Sequence, residues 1–102
     1  MAYSVRLHEQ AYEEYIEAYE WYEQRQKGLG DRFMYSVEKK LLQITEHPEY
    51  YSKKQNINFR EAKVANFPYM IVYEVFKRKQ LIHIAAIYHG KRNPKRKYRG
   101  LK

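Results

Sequence analysis

The chain has no cysteine, only three prolines, four glycines and one tryptophan, and no uninterrupted apolar run long enough to cross a membrane. Without thiols there is no disulfide framework and no thiolate metal site, which suits a reducing compartment. A membrane-spanning helix needs roughly 20 consecutive apolar residues, and a secretory signal has its own apolar core. Neither pattern is found, so the expectation is a soluble, cytoplasmic chain with no membrane partner. Phosphate-binding glycine loops, a Ser/His/Asp set and zinc-ligand spacings are likewise missing. His8 and His47 fall at element ends without ligand spacing. The sequence therefore calls for no cofactor, no metal and no small-molecule substrate.

Most of the acid is missing from the second half. Residues 1–52 hold 6 Lys/Arg against 10 Asp/Glu, and residues 53–102 hold 14 against 2, giving the overall +8. Such segregation points to a polyanionic partner, nucleic acid or an acidic protein, for the C-terminal half. Solubility alone is the plainer account of the same charge. What the chain has in excess is tyrosine, 12 against 4 phenylalanines, so many core positions carry a hydroxyl that needs a partner. A length of 102 residues supports one modest core. The chain reads as a single domain over 1–102 with a basic tail from about residue 90.

Residues 2–8 alternate Tyr3, Val5, Leu7 with Ser4, Arg6, His8, the period-two pattern of a half-buried strand. From Glu9 to about Gln26 the period lengthens. Tyr12, Tyr15, Ile16, Tyr19 and Tyr22 form the expected core stripe, with Ala11 and Ala18 at its margin. Glu13, Glu14, Glu17 and Glu20 form a solvated face or an acidic docking surface, and Trp21 projects among them. Gly28-Leu29-Gly30 breaks this helix. Asp31 is the expected N-cap of a second one, whose core face is Phe33, Met34, Val37, Leu41 and Ile44 and which stops before Pro48. Tyr35 and Leu42 lie off that face. Residues 48–58 have the composition of a loop. Three strands follow at 59–65, 68–76 and 81–89, the second and third apolar on both parities as inner strands are. Counting by twos along the last strand places His83 and His89 on one side, with His83 read as a satisfied core histidine.

The order β-α-α-β-β-β predicts an α+β fold, an N-terminal strand and an α-helical hairpin packed on a mainly antiparallel four-stranded sheet. Several phrases of the chain resemble the RelE/ParE toxin superfamily of bacterial type II toxin–antitoxin modules. They are the helical hairpin ending near His47-Pro48, the strand bearing Arg60, the run Phe67-Pro68-Tyr69-Met70-Ile71-Val72-Tyr73, and Ile84-Ala85-Ala86-Ile87-Tyr88-His89 with Lys91-Arg92-Asn93-Pro94 behind it. The resemblance implies a small basic toxin that inhibits growth and is neutralised by a cognate antitoxin protein. Two targets live on this fold: DNA gyrase, poisoned by ParE-like members, and the ribosome with its mRNA, cleaved by RelE-like members. An inactive member that only binds protein or nucleic acid is the alternative.

The resemblance also implies where chemistry would sit. Arg60 and His89 match positions that are catalytic in the metal-independent nuclease branch. Arg60 would hold the scissile phosphate, and His89, with an unperturbed pKa near 6.5, would serve as the acid. The plain structural readings are a strand cation paired with Glu61 or Glu74, and a strand-end histidine bonded to backbone. Glu49 and Glu61 are the candidate bases. Lys53, Lys54, Lys63, Lys91 and Arg92 form the expected nucleic-acid or target-binding set, with Tyr98 offering a ring to stack on a base. Gly90 follows His89 where some nuclease members have tyrosine. The phrases around Phe67-Pro68-Tyr69 and Lys91-Arg92-Asn93-Pro94 resemble ParE-like sequences more than the ribosomal nucleases.

Overall fold

The computed structural model describes residues 3–54 and 57–90. Strand β1 is Ser4–Leu7, helices α1 and α2 are Glu9–Arg25 and Leu29–Glu46, and strands β2, β3 and β4 are Arg60–Lys63, Tyr69–Phe76 and Leu81–His89. The sheet runs β1-β4-β3-β2. β2–β3 and β3–β4 are antiparallel, whereas β1 lies parallel to β4, so the sheet is mixed. The helical hairpin closes a core in which Phe33, Val37, Ile44, Ile71, Tyr73, Ile82, Ile84 and Ile87 are fully buried. The opposite face of the sheet carries a smaller cluster built on Phe59, Val72, Ala85, Ala86 and Tyr88.

The connections follow local chemistry. His8 caps α1 by accepting the Gln10 N–H on Nδ1 at 3.1 Å. Gly28 opens α2 with φ +88°, a conformation that favours glycine. The expected cap Asp31 instead lies inside the first turn, where it accepts the Tyr19 hydroxyl at 3.2 Å. The capping is done from α1: the two Glu23 carboxylate oxygens accept the N–H groups of Gly28 and Gly30, each at 2.9 Å. A carboxylate there also suits the positive end of the α2 dipole. The 77–80 turn between β3 and β4 closes with Gln80 in the left-handed region, φ 51°.

Two expectations about α1 are corrected. Tyr15, Tyr19 and Tyr22 pack half-buried against the core as expected, but the most deeply buried positions are Ala11 and Ala18, 0% and 3% exposed. Small residues there let the helix approach β4 closely. Tyr12, about 100° around the helix from Ala11, is left 55% exposed. Glu14 is not part of the solvated glutamate face. It is half-buried, and its carboxylate accepts the Ile87 N–H at 3.0 Å. Trp21 is exposed as expected, with the Arg25 guanidinium 4.2 Å from its ring centre.

The third correction concerns β4. The register passes from Val72↔Ala86 to Tyr73↔Ile84, so Ala85 is an extra residue, a β-bulge. Side-chain parity therefore inverts at Ala85. His83 lies opposite Glu74 on the face away from the helices, whereas His89 lies opposite Tyr69 on the helix-covered face. The two histidines do not share a side.

Candidate functional site

Arg60 opens β2 directly across from Tyr73. Its outer neighbour is the incoming loop, bridged at Lys53. The side chain is only 8% exposed. Its Nη1 donates to the Tyr51 carbonyl, and its Nη2 lies 3.7 Å from Glu49 Oε2. The same Glu49 oxygen receives Lys77 Nζ at 2.7 Å. The Lys77 hydrogen bond, with Lys77, Arg60 and Lys53 as neighbouring cations, holds the Glu49 carboxyl below its ordinary value, and Glu49 raises Lys77 in return. The Tyr73 hydroxyl beside them donates to the Pro48 carbonyl at 3.2 Å, and burial pushes its pKa up to about 12. Arg60 thus ties the 47–54 loop to the sheet. Its carboxylate partner is Glu49, not Glu61 or Glu74. Glu61 accepts the Tyr88 hydroxyl at 3.5 Å, and Glu74 faces His83 Nδ1 at 3.5 Å.

His89 stands at the other end of the sheet. Its ring meets Tyr69 edge-on, 5.4 Å between centroids, and Tyr69 in turn packs against Tyr22 and Phe33. Arg60 pairs with Tyr73 from one side of β3, and His89 pairs with Tyr69 from the other. Four residues along a strand make about 13 Å, and two strand spacings add roughly 10 Å across. The two predicted catalytic residues share a face, with their backbones about 16 Å apart.

The remaining predicted residues divide. Lys53 and Lys54 are exposed beside the entrance to β2, near Arg60. Lys63 projects on the face away from the helices, and its Nζ donates to the Phe67 and Val64 carbonyls at 3.2 and 3.4 Å. Lys91, Arg92 and Tyr98 lie outside the described residues. Sequence reasoning missed Lys77, which only the β3–β4 turn brings to Glu49. It also missed a cavity of about 470 Å³ between α2 and the turn after β2, whose walls include Arg32, Tyr35, Lys39 and Phe67. Among the described residues, no helix is long and apolar enough to cross a membrane.

The family model for the ParE toxin of type II toxin–antitoxin systems, parDE, matches residues 5–94. The chain belongs to this toxin family. No curated protein matches it in sequence. Among solved structures, this ParE-family chain is similar to the intact E. coli RelBE toxin–antitoxin complex, with TM-score 0.70 and 20% identity over 89% of this chain and 100% of that one. The isolated E. coli RelE toxin gives 0.68 and 21%, covering 92% and 90% of the two chains. A free E. coli RelE mutant with two arginine-to-alanine changes gives 0.68 and 22%, covering 89% and 86%. At these identities the likeness shows the fold alone, and the ParE family match over residues 5–94 is what bears out the predicted resemblance.

Proposed function

We propose that this chain is a growth-inhibiting toxin of the ParE kind, which blocks DNA gyrase by binding rather than by cutting nucleic acid, and which a cognate antitoxin neutralises in the cytoplasm. The observation that carries this is the distance and orientation of Arg60 and His89. Metal-free RNA cleavage needs a base, a cation on the phosphorane and an acid around one phosphodiester. Arg60 has its guanidinium turned inward onto Tyr51 and Glu49, and His89 stands on the far side of β3. The match of residues 5–94 to the ParE model supports the same branch. The exposed cations Lys53 and Lys54 are then assigned to target binding, and Arg60 to positioning the loop that carries them.

One observation favours the nuclease reading as the second choice. Glu49, a candidate base, stands beside Arg60 at 3.7 Å, so two of the three required groups are adjacent. Expression of wild type, Arg60→Ala and His89→Gln with primer extension on cellular mRNA separates the two. Uncut mRNA together with linearised plasmid in a gyrase assay is the expected result. Codon-phased cuts that disappear in both variants would overturn it, and an absence of any growth defect would leave the chain a binding module.

A further inference from the structure

Around α2 the charges are sorted by side. The acids Glu38 and Asp31 turn toward α1, where they accept the hydroxyls of Tyr15 at 3.5 Å and Tyr19 at 3.2 Å. The cations Arg32, Lys39 and Lys40 turn the other way, into the cavity that runs beside α2 to the 65–67 turn. Among the described residues no acid lines this cavity. Lys40 is already held by Gln43 and Tyr51, both at 2.8 Å. Arg32 and Lys39 are exposed, and neither is paired with a carboxylate among the described residues. Between them stands Tyr35, 65% exposed, with Lys39 Nζ 5.9 Å from its ring centre. Leu29, Ala65 and Phe67 add apolar surface to the cavity lining.

An apolar slot of this volume, rimmed by unpaired cations and a rigid amphipathic ring, has the composition of an interface anchor site. From these features we infer that the α2 groove docks an acidic peptide segment of a partner protein. One aliphatic or aromatic side chain of the segment enters the slot against Tyr35 and Phe67, and flanking carboxylates pair with Arg32 and Lys39. The groove cations Arg32 and Lys39 come from α2 and are not among the predicted basic set, whose nearest member here is Lys63, bonded to the Phe67 carbonyl. The inference rests on the antitoxin reading above, and the antitoxin encoded beside this chain is the partner it concerns.

The test is calorimetric titration of the purified chain with that antitoxin. Arg32→Glu combined with Lys39→Glu is compared with Arg78→Glu combined with Lys79→Glu, which makes the same change in net charge in the remote 77–80 turn. The groove pair is expected to weaken binding by at least about tenfold, and the turn pair by less than about threefold. Tyr35→Ala is expected to weaken it by about tenfold as a truncated anchor. All of these side chains are exposed, and an unchanged unfolding midpoint confirms that each variant folds. A benzophenone at position 35 marks the antitoxin residues that lie against it, and replacing the acids flanking the marked residues by lysine is expected to restore binding to the groove variant. Binding that is unaffected by the groove changes, or equally affected by both pairs, overturns the groove while leaving the antitoxin reading standing. No binding of wild type at all overturns both.

Discussion

The carboxylate of Glu14 in α1 accepts the backbone N–H of Ile87 in β4 at 3.0 Å. Ile87 is fully buried and lies two residues beyond the bulge at Ala85. A helix side chain therefore supplies an acceptor to a central strand. Glu14→Ala strands a buried donor, which costs about 1–3 kcal/mol. Glu14→Gln keeps an oxygen in place and is expected to lose less than half as much. Chemical denaturation of both variants checks this, and equal losses would mean that the bond contributes little.

Stability is expected to fall in alkali. Tyr73 and Tyr15 each have a pKa raised from 10.0 to about 12, burial being the first cause in both. The folded chain thus holds these protons more tightly than the unfolded one. The stabilisation is complete below pH 10 and is lost as pH rises toward 12. Tyr73→Phe should flatten this alkaline limb. At neutral pH it should cost about 1 kcal/mol for the lost bond to the Pro48 carbonyl. Thermal unfolding across the pH range reads both effects.

Gly30→Ala tests the helical hairpin. A Cβ at Gly30 would lie 2.7 Å from the Tyr19 carbonyl and 2.9 Å from Glu23 Oε1, so the substitution must push α1 and α2 apart or break the cap. Overpacking of this kind costs about 1–3 kcal/mol. Glu23→Ala removes the cap without adding bulk and is expected to cost about 1 kcal/mol. A Gly30→Ala variant as stable as wild type would show that the hairpin yields at no cost.

Arg60→Ala is expected to destabilise the chain by about 2–3 kcal/mol, because a charged, buried hydrogen bond to the Tyr51 carbonyl is lost. For a domain near 100 residues each kcal/mol lowers the midpoint by about 4–8 °C. Amide exchange should rise selectively in the 47–54 loop. Arg60→Lys should not restore protection, since a single ammonium does not span Tyr51 and Glu49 as the guanidinium does. Unchanged exchange in that loop would assign Arg60 a role other than positioning.

The element order was legible because strands and helices differ in period, and the core face of α2 reads directly from Phe33, Val37 and Ile44. The hidden features were those that a period cannot carry. Ala85 and Ala86 read as two ordinary apolar residues, although one of them is the bulge that sends His83 and His89 to opposite faces. Glu14 reads like the other glutamates because nothing along the helix marks a carboxylate whose partner is 73 residues away. Asp31 looked like a cap by residue type, yet the cap came from Glu23 across the turn. The candidate site was less legible than the fold. Arg60 and His89 stand close to strand ends in the sequence, but only the pairing register reveals how far apart they are.

The parallel pairing of β1 with β4 also fixes when the fold can close. Ser4–Leu7 pairs with residues beginning at Leu81, and among the described strands it flanks β4 alone. During synthesis the first strand has neither edge paired until residues 81–84 have been made, some seconds later at about 5–20 residues per second. Such a long-range contact is among the slow ones to form. The toxin's sheet is completed by joining β1 to β4, so a ribosome that stalls before Leu81 holds a chain that cannot close its sheet.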